Sequence, residues 1–163
     1  MKISGKLVIV AILAFALAAA GASWWFRYNA THRAAKFWGP NDARRIRDAP
    51  FVELYYINDD PDALSTIRDI SKAPGLTHLR HALLEDRSFV WPARPAVRQP
   101  RWHWAIGFRE GNDKRMTLVA FTADWKRATN YRSRSNEVVS SEPIAEGMAI
   151  MFSDLMPQEP EPR

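Results

Sequence analysis

The chain has 163 residues, 47% of them apolar, which suits one domain with a short accessory segment and excludes two full domains. It has no cysteine, which excludes disulfide scaffolds, thiolate zinc sites, thiol nucleophiles and cysteine-linked lipids. The formal net charge of +5 is unevenly spread: Arg27–Arg47 hold six bases and one acid, Arg98–Arg134 nine bases and three acids, and Glu137–Arg163 one base and six acids. The two basic blocks would attract phosphates, although a block of one sign is first of all a solvated face.

Residues 1–6 are a short basic start with Lys2 and Lys6. Leu7–Phe26 then carry no charge across twenty residues. As a helix this stretch spans about 30 Å, the thickness of a bilayer core. It reads as a transmembrane anchor that includes Leu7, Phe15, Leu17, Trp24, Trp25 and Phe26, with Trp24, Trp25 and Tyr28 at the headgroup level. The lipid bilayer is therefore the first expected partner. A cleaved signal peptide is the competing reading, since Ala20 and Ala22 lie among small residues. The uncleaved anchor is preferred because the apolar run continues through Trp24–Phe26. Positive charges are nearly balanced on the two sides, with Lys2 and Lys6 before the span and Arg27, Arg33 and Lys36 after it. A short basic start before an apolar helix is the pattern of exported chains, so the body is expected outside the cytoplasm, held by a single pass in a bacterial-type inner membrane.

Residues 27–49 read as a basic juxtamembrane linker that extends the membrane helix by a few turns until Gly39 and Pro40 break it. The expected domain runs over residues 50–156. Phe51–Ile57 is β-branched and aromatic, hence a strand. Asp60 and Pro61 look like a helix start, and Leu64, Ile67 and Ile70 share one stripe, so a helix is expected to about Ser71. A second helix is expected over Leu76–Glu85, with Leu76, Leu79 and Leu83 inward. Phe89–Trp91 is read as a short strand, and Pro92–Pro100 as a proline- and arginine-rich loop.

The best-patterned part of the body is a hairpin. Trp102, Trp104, Ile106 and Phe108 occupy alternate positions, so in a regular strand they share one face, with Arg101, His103, Ala105, Gly107 and Arg109 on the other. Gly111 and Asn112 form the turn, and the return strand puts Met116, Leu118 and Ala120 on one face. Burying the four large groups would contribute on the order of 6–12 kcal/mol before entropy, at ~1.5–3 kcal/mol each. Asn136–Ser140 is read as a further strand. Ser141 caps a last helix whose stripe is Ile144, Met148, Phe152 and Leu155, and residues 157–163 are expected to be a disordered tail. Together these elements give an α+β fold: an N-terminal transmembrane helix followed by a small antiparallel sheet packed on helices.

Little in the sequence looks chemical. It holds no G-x-S-x-G elbow, no Walker loop, no G-x-G-x-x-G and no H-E-x-x-H. His103 is the best catalytic candidate, with Asp124 to orient it, but strand alternation makes it a bystander on the polar face. His78 and His81 share a helix side at metal-like spacing but lack assured further ligands, so no metal or cofactor is expected. Arg101, Arg109, Lys126, Arg127, Arg132 and Arg134 form a basic band with Trp125 and Tyr131 between them, which could bind anions or stack bases. The stretch around them reads more simply as a loop, and nucleic acid is disfavoured as a partner.

The leading expectation is a membrane-anchored domain that binds or scaffolds another envelope protein without catalysis. The alternatives are a secreted or membrane-bound hydrolase or metal-dependent enzyme centred on His103, and a cytoplasmic-facing module that binds anionic lipid or nucleic acid through the Arg98–Arg134 band.

Overall fold

One uninterrupted helix, α1 (Gly5–Trp38), opens the computed structural model, which describes residues 5–57, 64–95, 102–111, 116–133 and 136–153. Within α1, Val8–Trp38 is long and apolar enough to cross a membrane, and it alone is so among the described residues. From Val8 to Phe26 every residue is exposed. The C-terminal end behaves differently: Ala34 and Trp38, one turn apart on one face, are buried in the body. The Trp38 indole N–H donates to the Leu83 carbonyl at 2.7 Å. The α1 helix stops at Gly39, whose φ of +83° is open to glycine and costly for other residues. Pro40 then begins α2 (Pro40–Asp48) at a position that needs no N–H. Residues 27–49 are thus not a free linker; they supply Ala34, Trp38, Ile46 and Ala49 to the main core. Arg80 fastens the end of α2, its guanidinium donating to the carbonyls of Arg47 and Ala49 at 2.6 Å each.

The remaining elements are β1 (Phe51–Ile57), β2 (Leu64–Asp69), α3 (Leu76–Leu84), a 3₁₀ turn (Asp86–Ser88), β3 (Phe89–Pro95), β4 (Trp102–Arg109), β5 (Met116–Thr122), β6 (Arg127–Asn130), β7 (Asn136–Ser140) and α4 (Glu142–Phe152). The strands make one antiparallel sheet in the order β2-β1-β4-β5-β6-β7-β3. The α+β architecture is as expected, with α3 burying Leu76, Leu79 and Leu83 and with β1, β7 and the β4–β5 hairpin in place.

Four local expectations are overturned. The helix expected at Leu64–Ile70 is strand β2, paired with β1. Its register slips opposite Leu54 and Tyr55, where Ile67 is an extra residue. Residues three apart in a strand point to opposite faces, so Leu64 and Ile67, which looked like one helical stripe, divide between the two cores. A second slip lies between Trp102 and Trp104, opposite Thr122 and Phe121, with His103 as the extra residue. Trp102 therefore joins the other face, away from Trp104, Ile106 and Phe108. The loop expected from Pro92 is still strand as far as Pro95, which an outermost strand tolerates because its N–H groups need no neighbour. Lastly, Arg127–Asn130 is the interior strand β6, where a loop was expected. The expected cap at Asp60 and Pro61, the loop from Ala96 to Pro100, Asn112 and Leu155 lie outside the described residues.

Each face of the sheet has a core. The helices cover the larger one, built on Val52, Leu54, Trp104, Ile106, Phe108, Val119 and Phe121. Trp125 sits at its centre, stacked between Trp104 (ring centroids 5.9 Å) and Phe152 (5.0 Å). This burial holds Trp125 at φ +58° in the β5–β6 turn, a conformation that a bulky residue rarely adopts. On the opposite face Tyr55, Ile57, Leu118, Ala120 and Tyr131 form a smaller cluster, to which Met116 is packed as expected. Gly107 lies beneath it; a Cβ there would come within 2.7 Å of both Met116 and Tyr55.

Candidate functional site

A concavity runs between α3 and α4. Each helix turns its most apolar stripe to the sheet: Leu76, Leu79 and Leu83 on α3, and Ala145, Met148 and Phe152 on α4. The flanks of the two stripes are left facing each other across a groove of about 710 Å³. Ala82, Ile144 and Met151 line it alongside Leu79 and Met148. One end is tied by the Ser141 amide, which donates to the Ser88 carbonyl at 2.8 Å. Ser141 thus begins α4 as expected but makes no side-chain cap; its carbonyl accepts from the amides of Ile144 and Ala145. At the other end Gly75 lies against the Met151 side chain.

Polar groups stand on the rim. His78 and His81 are exposed and both line the groove, so the pair shares a helix side as its spacing requires. Glu85 is engaged by Arg87 in an ion pair. Among the described residues no three His, Asp or Glu side chains gather where they could hold a metal ion. An open apolar trough with imidazoles at its edge can seat an apolar side chain or acyl group and hydrogen-bond its polar end.

The residues singled out by sequence are scattered. His103, the bulged residue of β4, packs edge to face on Tyr56 at 6.2 Å, and Tyr56 belongs to the helix-covered core. Arg101 lies outside the described residues. Asp124 serves the β5–β6 turn, accepting from the Thr122 hydroxyl at 2.6 Å and the Lys126 amide at 3.1 Å. Burial alone would raise its pKa, but these hydrogen bonds outweigh it and hold the carboxyl below its ordinary value.

The basic band is likewise divided. Arg109 pairs with Glu53 (3.5 Å), donates to the Gly111 carbonyl (2.7 Å) and stacks over Phe51 (4.8 Å). Arg127 pairs with Glu137 at 3.0 Å. Arg109 pairs with Met116 at one end of β5, whereas Lys126 and Arg127 follow its other end, about 20 Å away along a strand of this length. Arg132 is exposed and Arg134 lies outside the described residues. The band's aromatics, Trp125 and Tyr131, are buried on opposite faces of the sheet, so neither is a stacking platform. Of the expected anchor residues, Phe15, Leu17, Trp24, Trp25 and Phe26 are all exposed on α1; Leu7 lies in α1 but its side chain is outside the described set.

Sequence reading missed two polar assemblies. Asp42 joins α2 to the sheet by accepting from Thr117 (2.6 Å) and Asn130 (2.7 Å). Asp86 grips α1 near its C-terminal end, its two carboxylate oxygens accepting from the amides of Arg33 (3.0 Å) and Ala34 (2.8 Å). No spacing could announce either, because the partners are more than fifty residues apart. No protein-family model, curated protein sequence or solved structure matches this chain.

Proposed function

We propose that this chain is a single-pass membrane protein whose α+β body, held close to the bilayer by α1, binds an envelope partner through the α3–α4 groove without catalysing a reaction. The observation that carries the reading is the continuity of α1. Its exposed apolar part and its buried end are one helix, so the body has no slack with which to leave the membrane. The apolar groove between two helices supports binding, since such a trough offers contact area and few reacting groups. The body is assigned to the outer side of an inner membrane, on the short basic start ahead of the apolar helix.

Alkaline carbonate extraction tests the tether: the full-length chain should stay with the membrane pellet, and release of an unprocessed chain would overturn the reading. A reporter fused to the C-terminus and active on one side alone fixes the orientation. For the groove, a photo-crosslinking side chain in place of Ala82 should give a discrete adduct that the same group in place of Arg132 does not. Equal labelling from both positions would remove the groove from the account.

A further inference from the structure

Where α1 enters the body a second groove, of about 600 Å³, opens between the helix and the outermost strand β3. Its floor is aromatic: Phe37 and Trp91 meet edge to face at 6.0 Å. Both rings are held. Trp91 donates its indole N–H to the Asp86 carbonyl at 2.8 Å, and the Asp86 carboxylate grips α1 at Arg33 and Ala34. The wall carries Arg33 and Lys36, exposed and three residues apart on one helix side. Asp86 takes the Arg33 backbone amide, and among the described residues no carboxylate pairs with either cationic side chain.

The height of this groove follows from the helix. Arg33 comes seven residues after Phe26, about 10 Å along the axis. The headgroup layer reaches about 5–8 Å beyond the hydrocarbon on each side. Side chains on a helix lean toward its N-terminus, which here is toward the bilayer, and long cationic side chains extend to reach the interface. Lys36 and Phe37 come ten and eleven residues after Phe26, about 15 and 16 Å along the axis, so the rings stand above the phosphates and the two cations reach down to them from the groove's rim.

We infer that this groove seats the headgroup of an anionic phospholipid, with Arg33 and Lys36 reaching down to its phosphate and Phe37 and Trp91 beside the outward, polar end of the headgroup. The inference rests on α1 spanning the bilayer, and it holds for either orientation of the body. It differs from a general attraction of basic residues to the membrane, because it names two bases and a preformed aromatic floor.

The test uses the full-length chain in phosphatidylcholine nanodiscs containing a minor fraction of phosphatidylglycerol, with lipid preference read from spin-labelled lipids of each kind. Phosphatidylglycerol should be preferred. Each of Arg33→Gln and Lys36→Gln should reduce that preference about fivefold. Arg132→Gln, an exposed base elsewhere, should leave it unchanged, and Arg33→Lys with Lys36→Arg should retain it. No preference in the unaltered chain, or an equal loss with Arg132→Gln, overturns the inference. A chain that stays in the disc without preferring phosphatidylglycerol sinks the groove alone, whereas a chain that does not enter the disc sinks the anchor and the groove together.

Discussion

The two parts of α1 are one helix in two environments. From Val8 to Phe26 every residue is exposed and no side is polar, so nothing distinguishes a face for the body to hold. From Ala34 to Trp38 apolar residues return after one turn, with Arg33 and Lys36 on other sides, and the body takes the apolar face. Periodicity, more than apolar content, decides which part of a helix a small domain can bury. The more apolar part is the one left outside.

The largest effect that separates the two parts is expected at Trp38. Trp38→Ala removes a buried indole and its hydrogen bond to Leu83, and should destabilise the body by about 3–5 kcal/mol. Phe15→Ala, at a side chain 76% exposed, should leave the body's unfolding midpoint unchanged. Tryptophan fluorescence of the full chain during denaturation reads both, and equal losses would erase the distinction. Leu17→Arg reverses the logic. It should raise the cost of insertion by about 3 kcal/mol, seen as chain lost from the membrane pellet, while the body stays folded.

Asp86→Ala is next. Two amides of α1 lose a charged acceptor, at a cost of about 1.5–3 kcal/mol, and hydrogen exchange should quicken at Arg33 and Ala34 while Val8–Phe26 stay as protected as before. The smallest effect lies away from α1. Burial, with a hydrogen bond to the Glu53 carboxylate and its charge, pushes the Tyr55 pKa up to about 12 from 10.0. The folded value is above the unfolded one, so Tyr55 leaves stability intact below pH 10 and erodes it as pH rises through 12. The phenolate absorbance of the folded chain should report this late titration. Glu53→Gln should bring it earlier, and Phe15→Ala should not move it.

What could be read from the sequence follows how local each signal is. The apolar run, the turn at Gly111, and the stripes Leu76–Leu79–Leu83 and Met148–Phe152 repeat within a few residues, and each became the element its period predicts. The helical stripe read at Leu64, Ile67 and Ile70 failed because that stretch pairs as strand β2, and strand alternation failed at His103, where a bulge adds one residue and sends Trp102 to the other face. Residues 27–49 looked like a linker because two of the four residues they bury are alanines, amid six bases. The candidate site was the least legible part. Gly75–Ser88 and Ser141–Met151 make one groove through packing on a common sheet, which no motif in either segment records.

Amide-resolved hydrogen exchange along α1, on the full-length chain in lipid nanodiscs, decides whether the apolar part and the body share one unbroken helix. Protection should be unbroken from Val8 through Trp38, including the turns between Arg27 and Arg33 that join the apolar part to the body. Rapid exchange across those turns, with protection on either side, would make them a flexible tether and contradict that continuity.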